Sequence, residues 1–282
     1  MNKKFLLIHL LLIITCALSA QNIDFSGALS RMESAIDSSQ EEFSMRDSYY
    51  IGRAVAAHIL GRYPLYTEKP ELINYLNLIC KALAVNSSSP NWYNGYFVVI
   101  LDDPALTACS TPGGHIFISR GLIELTSSED MLAAIIAHEL AHIQLMHGTA
   151  DILHNRLIQQ LAQDRNRISQ NLAAETQQQL FSDAVNEIVQ NLFSKGYSQM
   201  QEFEADSKAF SLLVSAGYNP QSLVELLRIL ERLQGNKPVS LADSHPLSFQ
   251  RIDNLQRQLS ALYRFPDTSV FREDRFKRIM ER

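Results

Sequence analysis

The sequence is poor in cysteine, with three cysteines in 282 residues, at positions 16, 80 and 109. None of them stands in a closely spaced pair, which excludes a zinc site of the Cys-x-x-Cys type and a disulfide-rich scaffold. Cys80 and Cys109 could pair in an oxidising compartment or remain buried thiols. The sequence leaves both possibilities open.

Positive charge is also scarce, because 25 Lys and Arg stand against 30 Asp and Glu, a formal net charge of −5. No basic tract is present, so nucleic acid is not an expected partner. After residue 20 no apolar run reaches the roughly 20 residues that a membrane-spanning helix needs. No internal repeat indicates a solenoid. The composition, 46% hydrophobic and 20% charged, is that of a globular protein.

Residues 1–20 have the pattern of a secretory signal, in which two lysines precede an apolar run that ends in small residues at Ala20. The run is shorter than a spanning helix, so we predict cleavage after Ala20 and export. The remaining chain then has 23 basic and 30 acidic residues, a formal charge of −7. The alternative is lipoprotein processing at Cys16, which would tether the chain to a membrane by acyl chains. Thr15 departs from the usual lipoprotein pattern.

Apolar periodicity predicts an α+β fold that is mostly helical, with a small β-sheet directly ahead of one central helix. Helices are expected over 27–62, 71–83, 128–147, 198–215 and 221–234 and from 248 onward, and strands near 96–101, 108–111 and 115–119. We interpret residues 150–194 as a helical insertion or lid. The expected organisation is a signal peptide (1–20), one domain (21–262) and a C-terminal tail (263–282).

The central helix carries two histidines and a glutamate within an apolar run, in the stretch AHELAH at 137–142. His138 and His142 lie one turn apart on the same face, so both imidazoles can bind one metal ion. Glu139 is rotated by about 100° from His138, outside the ligand pair but close to a water on the metal. This HExxH pattern predicts one zinc ion and peptide hydrolysis with Glu139 as the general base.

A catalytic zinc needs a third protein ligand and keeps one position open. Metzincins would have histidine at position 148, where this chain has Gly148. His147 misses that position by one residue, and we interpret it as a side chain that the dipole favours at a helix C-terminus. The later helix supplies Glu202 as the expected ligand. Asp206, on the same face, is expected to accept a hydrogen bond from a ligand imidazole.

Two segments elsewhere in the chain are candidates for roles near the metal. His245, in DSHPL, is either a donor to the oxyanion of the transition state or a capping residue of its loop. Arg251 is expected to pair with an acidic group near the site. The stretch TPGGHIFIS is either a turn before an internal strand or an edge that pairs with an extended peptide substrate. The residues of this candidate substrate strand are Gly113, Gly114, His115 and Ile116.

Together, HELAH, QEFEAD and DSHPLSFQRI resemble the gluzincin metallopeptidases of the HtpX and CAAX-prenyl-protease type, in particular their exported, soluble branch. The resemblance covers most of the chain after residue 20. It implies a zincin-like fold and one zinc ion bound by His138, His142 and Glu202, with Glu139 catalytic and Asp206 supporting a ligand. It further implies action on unfolded or misassembled envelope proteins in the periplasm, with possible peripheral association with the outer membrane.

The resemblance also bears on the residues whose roles the sequence leaves open. In similar proteins the loop of His245 can place its histidine on the zinc and hold the enzyme latent, and the strand at 113–116 can form the substrate edge. The spanning helices of intramembrane members are absent after residue 20, so a prenyl-protease role is not expected. The stretch that follows the peptidase region does not resemble the helical-repeat domain of some exported members, so a docking role of that domain is not expected. An envelope chaperone or assembly factor with a latent zinc site is the alternative function. The sequence does not indicate an oligomeric state.

Overall fold

The computed structural model describes residues 45–148, 189, 192, 196–234, 245, 249–262 and 269–281. Its helices are α1 (Met45–Arg62), α2 (Pro70–Val85), α3 (Arg120–Leu125), α4 (Glu129–Gln144), α5 (Gln199–Ser215), α6 (Gln221–Gln234), α7 (Phe249–Ala261) and α8 (Ser269–Met280). Its strands are β1 (Phe97–Leu101), β2 (Ala108–Ser110) and β3 (His115–Ser119). The prediction of a mostly helical α+β fold with a small sheet ahead of the motif helix is confirmed. The predictions for residues 1–20, including Cys16, for the first part of the helix expected over 27–62, up to residue 44, and for nearly all of 150–194 fall outside the described residues.

Helix α4 lies at the centre of the domain. Ser128 caps its first turn by accepting a hydrogen bond from the Met131 amide, at 3.2 Å. Every residue from Glu129 to Ile143 is buried, as expected for a helix that is apolar on all sides. Helices α2, α5, α6 and α8 and strand β2 all pack against α4. Side chains on α4 are therefore held rigidly in the core.

The three strands form one sheet in the order β1-β3-β2. Strand β3 is central, because β1 pairs with it in parallel and β2 in antiparallel orientation. Ile116 and Ile118 belong to the main core with α2 and α4, whereas Phe117 packs with α1 in a smaller core. The sheet is thus covered by helices on both faces. The short helix α3, capped by Ser119, was not predicted from the sequence.

The C-terminal segment Ser269–Met280 forms helix α8 and packs against α2 and α4. Within the expected C-terminal tail, residues 269–280 thus form a helix that packs on the domain. Arg275 Nε donates to Glu129 at 2.6 Å, and Arg272 Nε donates to Asp130 at 3.1 Å. Phe276 of α8 is also buried in the main core. The helix was not predicted because most of its residues are charged or exposed and give little apolar periodicity.

The two cysteines of the described region are both buried and free. Cys80 lies on α2 in the main core, and Cys109 lies on β2 in the smaller core beneath α1. The two thiols pack in different hydrophobic clusters, so the structure answers the question that the sequence left open. Among the described residues, no helix combines the length and the apolar character that crossing a bilayer requires.

Candidate metal centre and active site

His138 and His142 project from α4 into one buried site, as their spacing predicted. Their Nε2 atoms lie 3.1 Å apart, and both residues are buried. Two imidazoles with facing Nε2 atoms in a closed core present two lone pairs to one point. This arrangement is suited to binding a metal ion through both nitrogens.

Glu202 reaches the same point from helix α5. A capping box at Ser198 and Gln201 fixes where α5 begins, which sets the angular position of Glu202. The Glu202 carboxylate is fully buried, and its oxygens lie 3.4 Å from Nε2 of His138 and 3.4 Å from Nε2 of His142. The expected convergence of two helices distant in sequence is therefore present.

The spacing of these atoms fits zinc. A tetrahedral zinc ion with ligands at about 2.0–2.1 Å separates neighbouring ligand atoms by roughly 3.3–3.4 Å. The observed separations are 3.1 Å between the two histidines and 3.4 Å from each of them to Glu202. The four side chains that could hold an ion are His138, His142, Glu202 and His245. Nitrogen and carboxylate donors in this number are a typical zinc ligand set.

His138 is oriented through its second ring nitrogen. Its Nδ1 atom lies 3.1 Å from Oδ1 of Asp206. Arg251 in turn donates two hydrogen bonds of 2.7 Å to the Asp206 carboxylate and lies 2.6 Å from Oε2 of Glu202. Burial alone raises the pKa of Asp206, but the Arg251 guanidinium outweighs it and holds that pKa below its usual value. The expectation that Arg251 pairs with an acidic group near the site agrees with these contacts.

His245 lies inside the site rather than at its rim. Its Nδ1 atom is 3.2 Å from Nε2 of His138 and 2.9 Å from Oε1 of Glu202. Its other ring nitrogen, Nε2, is 3.2 Å from Oε1 of Glu139. Burial lowers the pKa of His245, but the neighbouring Glu202 and Glu139 charges outweigh burial and raise it to about 10. His245 therefore stands at the fourth corner of the ligand set, in contact with the expected general base.

Glu139 is buried beside the ligand cluster. Burial raises its pKa, but the charges of His245 and the two α4 histidines lower it to about 2, so the carboxylate is ionised. Among the described residues, its Oε2 atom is buried without a hydrogen-bond partner. An ionised carboxylate with one unused oxygen next to the ligand cluster can accept a proton from a reacting group.

The sequence interpretation did not predict that three further residues, His147, Glu204 and Tyr197, lie around His142. His147 is buried, with Nδ1 3.0 Å from Nδ1 of His142 and Nε2 3.1 Å from Oε2 of Glu204. Tyr197 stacks on the His142 ring, with centroids 3.9 Å apart and planes 18° from parallel. The interpretation of His147 as a dipole-favoured end residue did not include these contacts. The one feature of the sequence that could have indicated these contacts is the position of His147, five residues after His142. That spacing does not predict where the His147 side chain points, because the helix ends between the two residues.

The stretch 113–116 does not provide a free strand edge. Both sides of β3 are paired, since His115 is in register with β1 and the Thr111 amide donates to the His115 carbonyl at 2.9 Å. A Cβ on Gly52 of α1 would lie 1.9 Å from the Gly113 amide nitrogen, and Gly114 has φ +90°. These glycines allow α1 to pack closely and the turn to form. The expectation of a substrate edge along Gly113–Ile116 is therefore wrong.

A small apolar cavity of about 30 Å³ adjoins the site. Its lining includes a stripe of leucines on α6 and Ala108 of β2. His138, Glu139 and His245 close the cavity on the side of the ligand cluster. The cavity therefore places a small apolar space directly beside Glu139. The leucines of the α6 stripe are Leu223, Leu226, Leu227 and Leu230.

Comparison with known proteins identifies the family. Residues 70–259 match Peptidase family M48. The chain is 27% identical over 185 residues to Metalloprotease YcaL of Escherichia coli (strain K12), covering 65% of this chain and 68% of YcaL. It is 24% identical over 252 residues to Metalloprotease LoiP of the same strain, covering 88% of this chain and 93% of LoiP.

A third relative is longer than the chain. The identity to the Beta-barrel assembly-enhancing protease of Yersinia pestis is 23% over 234 residues, covering 81% of this chain and 46% of that protein. The M48 match spans more than half of the chain and contains the HExxH helix, Glu202 and His245. This chain therefore belongs to peptidase family M48 and is a zinc metallopeptidase.

Proposed function

We propose that this zinc metalloendopeptidase hydrolyses peptide bonds in exported proteins, in particular unfolded or misassembled proteins of the cell envelope, and that His245 holds it latent. The enzyme class comes from the family. The observation that carries the proposal is the meeting of His138, His142 and Glu202 in one buried cluster beside Glu139. The substrate class and the latency are the proposed part.

The chemistry is divided among the residues of the cluster. His138, His142 and Glu202 would hold zinc, which supplies Lewis-acid activation of water and of a substrate carbonyl. Glu139 takes a proton from the attacking water and passes it to the leaving amine, which requires the carboxylate to be ionised at the start. Its low pKa meets that requirement.

Latency would result from the two contacts of His245. Its Nδ1 atom faces the ligand cluster, where a catalytic zinc site keeps one position for water or substrate. Its Nε2 atom faces Oε1 of Glu139, which is the proton acceptor. One side chain thus covers both the open position and the general base. Moving the loop of His245 away would release both together.

Substrate binding would use the outer edge of β2 rather than β3. The backbones of Cys109 and Thr111 are directed towards β3, because hydrogen-bonded pairs alternate along the antiparallel ladder. The backbones of Ala108 and Ser110 are then directed to the opposite side. Both residues are buried, so an extended peptide would pair with them only after the residues that cover this edge move away. The small apolar cavity lined by Ala108 would adjoin that peptide.

The proposal of exported substrates is supported by the signal-like pattern of residues 1–20. One relative is named the Beta-barrel assembly-enhancing protease, and this name refers to the assembly of β-barrels. That name is consistent with substrates of the cell envelope. A periplasmic location and peripheral association with the outer membrane belong to the same proposal.

A second candidate function is an envelope chaperone or assembly factor that binds proteins without cleaving them. The position of His245 against both Glu139 and Glu202 favours it, because a permanently covered site would not turn over. The two functions predict different results when His245 is removed. A latent peptidase becomes active, whereas a binding protein stays inert.

The test compares cleavage of casein and of a denatured outer-membrane protein by wild type, His245→Ala and Glu139→Gln, each with measured zinc content. We expect His245→Ala to cleave faster than wild type and Glu139→Gln to be inactive. Phe249→Ala, an exposed position just after the loop, is the matched control and should behave as wild type. If zinc-loaded wild type and His245→Ala are both inert, the peptidase proposal fails and the binding function is favoured.

A further inference from the structure

The feature that the catalytic scheme does not use is the contact of His147 with the second nitrogen of His142. We propose that His147 and Glu204 form a relay that fixes the tautomer of the His142 imidazole, so that its Nε2 lone pair faces the metal position. The proposal rests on the zinc site proposed above. His147 is a positioning residue, because it acts only through His142.

The direction of the hydrogen bonds is set by the outermost residue. An ionised carboxylate only accepts, so Glu204 Oε2 requires a proton on Nε2 of His147, 3.1 Å away. A neutral imidazole protonated at Nε2 has an acceptor at Nδ1. That acceptor lies 3.0 Å from Nδ1 of His142, which must then carry the proton. The lone pair of His142 is left on Nε2, the atom that faces His138 and Glu202.

The backbone delivers His147 to this position. Helix α4 ends at Gln144, and Met146 adopts φ 55°, in the left-handed region that non-glycine residues seldom occupy. The chain reverses there, as at many helix C-termini. His147 thereby returns to the side of His142 and becomes buried. Tyr197 stacks on the His142 ring and so restricts the rotation of that ring.

Each of the two imidazoles needs a hydrogen-bond acceptor at its Nδ1 atom, and a charged acceptor buried there is costly. His138 and His142 meet this requirement in different ways. His138 uses the buried carboxylate of Asp206, which Arg251 neutralises. A further buried carboxylate beside His142 would need its own cation, because an uncompensated buried charge is costly. In the proposed relay, His147 is an uncharged acceptor for His142, and its own N–H group donates to the carboxylate of Glu204. The Glu204 side chain is 54% exposed, so its charge remains hydrated.

The test measures zinc affinity by competition with a chelator, in the full-length protein. His147→Phe removes the acceptor and should weaken zinc binding about ten- to a hundredfold, the usual cost of losing an outer partner of a metal-binding histidine. His147→Asn places a carbonyl oxygen near the former Nδ1 atom and should restore most of the affinity. His58→Phe, on α1 and remote from the ligand cluster, is the matched control and should leave the affinity unchanged.

A second variant acts from the surface, where folding is not at risk. Glu204→Lys replaces the acceptor with a donor, which favours the opposite tautomer of His147 and should lower zinc affinity. Glu204→Gln retains an acceptor oxygen and should lower it less. Glu225→Lys makes the same charge change at an exposed position on α6 and is the control for charge alone.

A spectroscopic measurement separates positioning from general packing. In ¹⁵N spectra of the zinc-loaded protein, His142 should carry its proton on Nδ1 and His147 on Nε2. If wild type binds zinc with these protons elsewhere, or if His147→Phe and Glu204→Lys bind zinc as tightly as wild type, the relay is wrong while the peptidase proposal stands. If wild type itself binds no zinc, the proposed function fails first.

Discussion

Arg251 donates two hydrogen bonds of 2.7 Å to the Asp206 carboxylate, and both side chains are almost fully buried. The pair joins α7 to α5, and Asp206 in turn faces Nδ1 of His138. A planar guanidinium fits a carboxylate in this two-bond geometry. The position of a candidate zinc ligand on α4 therefore depends on an arginine contributed by α7.

Replacing Arg251 by alanine should destabilise the protein strongly. The change leaves the buried Asp206 carboxylate without its guanidinium partner and removes one cation from beside Glu202. Breaking a buried pair in this way typically costs about 3–5 kcal/mol. Urea denaturation of the metal-free protein measures the free energy of unfolding. Arg257→Ala removes an exposed pair with Asp253 on the same helix and should cost less than about 1 kcal/mol. Equal losses of unfolding free energy in the two variants would contradict the role of Arg251 as the cation that stabilises the buried carboxylates.

Replacing Glu139 by glutamine should separate metal binding from catalysis. Glutamine keeps the shape of the side chain but cannot accept the proton, so peptide cleavage by an activated protein should fall by roughly 10²–10⁴-fold. Zinc stoichiometry should remain one per chain, because Glu139 is not in the ligand set. Metal analysis and cleavage of a quenched peptide, both in a His245→Ala background, check the two parts. Loss of zinc together with activity would place Glu139 among the ligands.

Removal of zinc should lower stability as well as abolish activity. An ion that binds only the folded protein stabilises it by about 2.7 kcal/mol when its free concentration is a hundred times Kd. Thermal melts with and without a chelator measure this difference. Glu202→Gln should show a smaller difference between the two conditions than wild type, because it lacks one ligand. An unchanged melt of wild type after metal removal would contradict a buried zinc site.

Replacing Arg275 by alanine should loosen the contact between α8 and α4. Glu129 is buried and accepts hydrogen bonds from Arg275 and from the hydroxyls of Tyr75 and Tyr218. Loss of a hydrogen bond to a charged group costs about 1.5–3 kcal/mol. Lys277→Ala, which removes an exposed pair with Glu273 on the same helix, is the matched control. In thermal unfolding, the melting temperature of Arg275→Ala should be well below that of Lys277→Ala.

His115 should make stability depend on pH. Burial, aided by the charge of Arg53, lowers its pKa to about 4 in the folded protein, against about 6.5 in the unfolded chain. The unfolded state then binds the proton more tightly, so stability falls as pH drops from about 6.5 to 4. A pKa unit corresponds to about 1.4 kcal/mol. In metal-free protein, His115→Gln should lose less stability over this pH range than wild type. Parallel losses would argue against the shift.

The helical positions of the site could be predicted because a helix fixes them locally. The spacing of His138 and His142, and that of Glu202 and Asp206, places each pair on one face wherever the helix packs. Strand pairing has no such local rule. The residues of TPGGHIFIS indicate a strand, but whether its edges are free depends on β1 and β2, which pair on both sides.

The sequence alone therefore determined the mostly helical class and predicted the candidate zinc ligands and the candidate base, because short-range periodicity and residue chemistry carry that information. Only the tertiary structure decided which residues distant in sequence contact those groups. It brought His245 against Glu139, Arg251 against Asp206, and α8 against α4. These contacts join segments that are distant in sequence, and their geometry arises when the helices pack around α4. No local pattern encodes that geometry.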